Sequence, residues 1–162
     1  MGIQLLPGIK PEELDMTAIR ETNLPNPFHR GKVRDTYTLK EETLLMVATD
    51  RISAFDVVMP NGIPDKGAVL CKLSSFWFAQ TAGIVPNHLV ALAVDREDVS
   101  APPEIARRSM VVRRAERIDV ECVIRGYITG SAWAEYKKSG TVQDLPMQAG
   151  LQEGDRFPEP LF

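Results

Sequence analysis

The chain has 162 residues, a net charge of -3, 44% hydrophobic and 25% charged residues, the ordinary composition of a folded domain with a small appendage. This excludes extended disorder, and without a basic excess it excludes a general nucleic-acid binder. Cationic clusters remain at 29–34 and 107–117 and suit a small anionic ligand. Cys71 and Cys122 are far apart, each in an apolar run, and read as buried free thiols rather than a disulfide framework or a zinc site. No apolar run approaches the ~20 residues needed to cross a bilayer. The N-terminus lacks the cationic and apolar regions of a signal peptide, so the chain reads as cytoplasmic, with no membrane partner.

Residues 11–22, PEELDMTAIRET, predict a short helix opening on Pro11. NLPNPFHRG reads as loop. From Lys32 the pattern alternates, with Val33, Asp35, Tyr37 and Leu39 on one side and Arg34, Thr36 and Thr38 on the other, a half-buried strand. The continuous apolar run 43–49 predicts a more central strand paired to it through the turn LKEE. FDVVMP is a further short strand. GAVLCKLSSFWFAQTAG spaces Val69, Leu73, Phe76 and Gln80 as a helix with Gly83 as its C-cap, and the Phe76-Trp77-Phe78 cluster reads as core. HLVALAV, SMVVRRAE and DVECVIRGYIT predict strands, and SAWAEYKKSG a helix with Lys137 and Lys138 at its cationic end and Gly140 beyond. After Gly140 the text is loop-like. The sum is an α+β fold, mainly antiparallel sheet with helices on one side. Neither G-x-G-x-x-G nor G-x-x-x-x-G-K-[ST] occurs.

Three places concentrate chemistry. Arg30-Gly31-Lys32-Val33-Arg34-Asp35 puts a glycine among cations at a strand mouth, where backbone N–H groups and Arg34 suit phosphate oxygens; a solvated, charged edge strand explains it as well. Asp50 to Asp56 follows an apolar strand with two acids, an arginine and a hydroxyl, and an Asx-type turn accounts for part of it. Glu121 and Arg125 share one face of an apolar run, either paired with each other or facing a ligand. Ser131 then opens a helix, as an anion contact or a plain N-cap. His29 and His88 lack partners at metal-ligand spacing.

HRGKVRDTY, VATDRISAFDVVMPNGIPDKG, LSSFWF, ECVIRGYITGSAWAEYKKSGTV and FPEPLF, in that order, resemble the N-terminal part of the phosphoribosylaminoimidazole-succinocarboxamide synthase (SAICAR synthetase) family, from about residue 28 onward. The resemblance implies an ATP-dependent ligase of purine biosynthesis that joins carboxyaminoimidazole ribonucleotide to L-aspartate, with Mg²⁺ as cofactor. Its fold would be a kinase small-lobe-like sheet over 28–115, after an extension at 1–27, and the start of an ATP-grasp-like lobe over 116–162. Carried over by position, Gly31, Lys32 and Arg34 would cover the ATP phosphates. Arg113 and Ala115 would offer backbone groups to the adenine, and Glu121 would lie beside the ribose. Asp56, Arg125 and Ser131 would line the imidazole ribonucleotide and aspartate pocket, so that Lys32, Glu121 and Arg125 border one crevice. Lys66-Gly67 fits the pattern without an assigned role. The family continues past FPEPLF, so the resemblance puts the remaining catalytic residues beyond Phe162 and implies an N-terminal fragment that does not turn over alone. The alternatives are a non-catalytic nucleotide-binding or regulatory module, a kinase-like small lobe of another phosphotransferase, and a structural domain with solvated charges.

Overall fold

The computed structural model describes residues 17–116, 118–120 and 122–162. They form two compact units, divided after Glu116.

The first unit is built on a five-stranded sheet. β1 (Pro27–Arg30), β2 (Arg34–Lys40), β3 (Thr43–Ala48), β4 (Arg51–Ala54), β5 (Val57–Gly62), β6 (Leu89–Leu92) and β7 (Ser109–Arg113) follow in chain order. The sheet order is β1-β2-β3-β7-β6, with every neighbouring pair antiparallel, and β4 and β5 form a separate hairpin. β3 is apolar from Leu44 onward because it is the central strand and both its faces are covered. Leu45 and Val47 pack with Tyr37, Val111 and Ile105 on one face. Leu44 on the other meets Cys71, Met110 and Val112. Cys71 belongs to α1 (Lys66–Gln80), which covers that second face. The first face is closed by α2 (Pro103–Ala106), a 3-10 turn at Ala93–Asp95 and the segment carrying Ile19 and Leu24. Burial pushes the Cys71 thiol up to about 11, so it packs as an inert apolar group.

One carboxylate ties these elements together. Asp50, fully buried, accepts from the Gly67 N–H (2.8 Å) at the start of α1, from Arg108 Nη1 (2.5 Å) and from the Ile19 N–H (2.8 Å). Arg108 is itself 1% exposed. Gly67 allows the close approach: a Cβ there would lie 2.0 Å from the Ala48 carbonyl oxygen. A second buried pair joins Arg51 Nη2 to Asp35 Oδ1 at 2.6 Å, with Thr22 Oγ1 donating to the same carboxylate. Burial works against the charge of both aspartates. The hydrogen bonds from Gly67, Arg108 and Ile19 at Asp50, and from Arg51 and Thr22 at Asp35, outweigh it and hold both carboxyls below the usual range.

In the second unit, β8 (Arg125–Tyr127) precedes α3 (Gly130–Ser139), the short hairpin β9 (Thr141–Val142) and β10 (Leu145–Pro146), and β11 (Arg156–Leu161), which pairs with β8. Ile128, Ala132, Val142, Leu151 and Phe157 are its core. α3 ends at Gly140, whose φ of 72° and N–H bond to the Tyr136 carbonyl stop the helix. Gln143 and Asp144, at φ 53° and 61°, make the tight turn of the hairpin, and the Glu135 carboxylate of α3 accepts both their N–H groups.

Several expected elements differ. The helix over 11–22 falls partly outside the described residues; Thr17–Thr22 runs without helix because Ile19 exchanges both backbone groups with Asp50. The 23–31 loop includes β1, an edge strand that tolerates Pro27. α1 ends at Gln80 with Thr81 as its cap, short of Gly83. Phe76 and Trp77 are exposed and only Phe78 joins the core, since α1 turns those two rings away from the sheet. Cys122 is exposed, and among the described residues of the 119–129 run only Arg125–Tyr127 is strand. The loop-like end after Gly140 contains β9, β10 and β11.

Asp50→Ala leaves Arg108 buried without its counter-charge and should cost about 3–5 kcal/mol in urea unfolding; a loss below about 1 kcal/mol would contradict the central role. Because both carboxyls sit below the ordinary 3.8, their contribution is complete above that value and is lost as pH falls through the lower folded-state values. Unfolding midpoints measured from pH 6 downward should therefore begin to drop near pH 4 and steepen below it, on the order of the ordinary aspartate pKa.

Candidate functional site: a trough beside the first helix

The β1–β2 turn is gripped from below. Arg51 donates from Nη2 to the Gly31 carbonyl (2.9 Å) and from Nε to the Lys32 carbonyl (3.0 Å) while paired with Asp35. The Gly31 N–H closes the turn on the Arg34 carbonyl at 2.7 Å. A buried guanidinium thus fixes the backbone of the turn while the Lys32 side chain stays outside. Lys32 Nζ meets Asp56 Oδ1 at 2.5 Å and holds that exposed carboxyl below its usual range. Asp56 sits at the tip of the β4–β5 hairpin, where it and Phe55 both adopt left-handed backbone, φ 64° and 49°.

Arg34 stands on the α1 face of the sheet, Nη1 lying 3.5 Å from Met46 Sδ. It borders a cavity of about 250 Å³ with Met46, Lys66, Leu70, His88 and Met110 among its walls. A second hollow of about 520 Å³ is bordered by Val85, Pro86, Arg113, Arg114 and Ala115. The two adjoin at Phe78 and His88, which line both, so a trough runs from Arg34 to Ala115. The Arg113 N–H donates to the His88 carbonyl and the Arg114 N–H to the Glu42 carbonyl. Burial, reinforced by the Arg34 charge, lowers the pKa of His88, which meets Phe78 edge-on at 5.1 Å.

Of the sequence candidates, Arg34, Arg113 and Ala115 share this trough, and Gly31, Lys32 and Asp56 gather at its neighbouring turns. Glu121 lies outside the described residues. In the second unit, Arg125 Nη2 donates to Ser131 Oγ at 3.0 Å; Ser131 is the second residue of α3 and Thr129 its N-cap, so the serine orients a guanidinium instead of capping the helix. Phe162 follows directly on β11 and is exposed. Among the described residues no three His, Cys, Asp or Glu side chains gather as a metal site, so Mg²⁺ is assigned to none of them. No helix among them is long and apolar enough to cross a membrane.

Sequence reasoning gave no role to Lys66, which lines the trough, and missed the gripping role of Arg51. The signal for Arg51 was its place, directly after a continuous apolar strand, where a long cation has to find buried partners.

The SAICAR synthetase family model matches residues 27–162. The chain belongs to the SAICAR synthetase family. Phosphoribosylaminoimidazole-succinocarboxamide synthase of Elusimicrobium minutum is 48% identical over 147 residues, 88% of this chain and 50% of that relative. The Pichia angusta protein of the same name is 51% identical over 142 residues, 82% and 47% of the two chains. This family member therefore spans about half the length of the curated relatives it matches. Among solved structures, SAICAR synthase from Saccharomyces cerevisiae complexed with SAICAR superposes with a TM-score of 0.80 at 47% identity, covering 90% of this chain and 53% of that one. A type-2 SAICAR synthetase in complex with ADP shares the fold at 20% identity, TM-score 0.62, covering 82% of this chain and 47% of that one.

Arg51→Ala should lower stability by about 3–5 kcal/mol, since it strands the buried Asp35 carboxylate. Lys32→Ala should leave the thermal midpoint unchanged, because both partners of its ion pair are in water. Equal midpoints for the two variants would show that Arg51 does not hold the turn.

Proposed function

We propose that this chain supplies the nucleotide-binding part, and part of the substrate pocket, of an ATP-dependent ligase of purine biosynthesis. The reaction joins carboxyaminoimidazole ribonucleotide to L-aspartate and yields SAICAR, ADP and phosphate. The observation that carries the reading is the family match over 27–162 together with 47% identity to a relative solved with SAICAR. The complex of a more distant family member with ADP supports ATP as the co-substrate.

The chemistry has two stages. A carboxylate resists attack by an amine because its charge repels the nucleophile and oxide is a poor leaving group. Transfer of the γ-phosphoryl group to the carboxylate oxygen releases ADP and gives an acyl phosphate. The aspartate amine then attacks the acyl carbon, the carbon–oxygen bond to phosphate breaks, and the amine loses a proton as the amide forms. What the protein supplies is placement and charge neutralisation. In this reading Gly31, Lys32 and Arg34 lie against the phosphates, and the 113–115 segment borders the adenine. Glu121 lies by the ribose. Asp56, Arg125 and Ser131 hold the imidazole ribonucleotide and aspartate, the Arg125 fork being suited to a phosphate or carboxylate.

Calorimetric titration separates this reading from its rivals. The chain should bind ATP–Mg²⁺ saturably, and Arg125→Ala should weaken carboxyaminoimidazole ribonucleotide by about tenfold or more while leaving ATP unchanged. Binding of ATP with no response to the ribonucleotide would favour a nucleotide-binding module. Binding of neither ligand would contradict the proposal.

A further inference from the structure

Charge balance inside the trough singles out a residue without an assigned role. The cavity of about 250 Å³ has Arg34, Lys66 and Arg108 in its walls and, among the described residues, no carboxylate. Arg108 is neutralised by Asp50 at its other side. Arg51, close by, is neutralised by Asp35. Among the described residues the Arg34 guanidinium has its hydrogen bond to the Met46 sulfur, a weak acceptor. Lys66 Nζ donates to the Arg51 carbonyl at 2.9 Å, and an ammonium has three donors. Burial lowers the Lys66 pKa, and the Arg51 and Arg34 charges press the same way against the opposing pull of Asp50. Two cations held near each other in a recess whose described walls carry no carboxylate repel one another, and an anion between them relieves that cost. Lys32 is in the opposite condition, its ammonium already paired with Asp56 in solvent.

We propose that Lys66, together with Arg34, is the inner phosphate seat of the trough, holding the ATP polyphosphate where it runs between α1 and β2. The apolar remainder of the cavity, Met46, Leu70 and Met110 among it, then faces the uncharged part of the ligand. The bond to the Arg51 carbonyl holds the ammonium of this first-turn α1 residue in place, so the side chain is pre-placed by the same arginine that grips the β1–β2 turn. This assignment rests on the nucleotide reading above and adds to it a contact made by Lys66.

The test compares ATP–Mg²⁺ with adenosine, on wild-type chain and on Lys66→Met and Lys66→Arg, by calorimetry. Lys66→Met should weaken ATP about 10- to 100-fold, the loss of a charge-assisted bond, with adenosine affinity unchanged. Lys66→Arg should recover most of the loss. In parallel, an amine-acylating reagent applied to the wild-type chain should modify Lys66 more slowly with ATP present and no more slowly with adenosine, read by peptide mass; this arm needs no variant to fold. ATP affinity untouched by Lys66→Met, an equal weakening of ATP and adenosine, or no protection of Lys66 by ATP would each overturn the Lys66 assignment while leaving the nucleotide reading standing. A wild-type chain that binds neither ATP nor adenosine would instead overturn the nucleotide reading, and the Lys66 role with it.

Discussion

Asp50 leaves β3 at the point where the sheet hands over to everything else, and both its oxygens are engaged. Arg108 comes to it from the α2–β7 corner, the Gly67 N–H from the first turn of α1, and the Ile19 N–H from the segment ahead of β1. No hydrophobic contact could impose this arrangement, because burial fixes volume and not direction, whereas three donors aimed at one carboxylate fix three chain segments at once. Desolvation makes the arrangement conditional. With every donor in place the buried charge is stabilised; with one missing it becomes a liability of several kcal/mol.

The second buried pair extends the same logic toward solvent. Arg51 neutralises Asp35 and uses its remaining N–H groups on the Gly31 and Lys32 carbonyls. Two acids thereby absorb two of the cations at this end of the sheet, and among the described residues Arg34 and Lys66 line the recess with no carboxylate in its walls. An acidic chain with a net charge of -3 can in this way present a cationic recess, since its described carboxylates are either buried in pairs or out on the surface. Under the proposed function, the neutralisation that a phosphoryl-transfer site requires follows from how the core is stitched together.

Much of the sheet was legible because its signals are local. Alternation marked β2, an unbroken apolar run marked β3, and Gly140 with Lys137 and Lys138 marked the end of α3. Elements whose cause lies far away in sequence were not legible. β1 and β11 are strands only because β2 and β8 supply their partners, and the prolines in both obscured them. The segment at Ile19 forms no helix because Asp50, 31 residues on, captures its backbone. The site divides in the same way. The Gly31–Arg34 turn showed as a cluster of cations, whereas Lys66 showed only as a residue of a family pattern; that it enters the trough depends on a carbonyl 15 residues away. Ser131 was open between an anion contact and an N-cap; Thr129 proves to be the N-cap, and the Ser131 hydroxyl accepts from Arg125.

The central claim is that the recess on the α1 face, kept cationic by the committed pairs beneath it, is where nucleotide binds. Amide chemical shifts of the isotope-labelled chain, followed during addition of ATP–Mg²⁺, test it most directly. The account predicts the largest changes at Arg34, Lys66, Cys71, His88 and Ala115, with the core amides of Val47 and Val111 still. Changes gathered instead on the opposite, outer side around Asn23, Phe28 and Arg30, or spread evenly with none at Arg34 and Lys66, would contradict it.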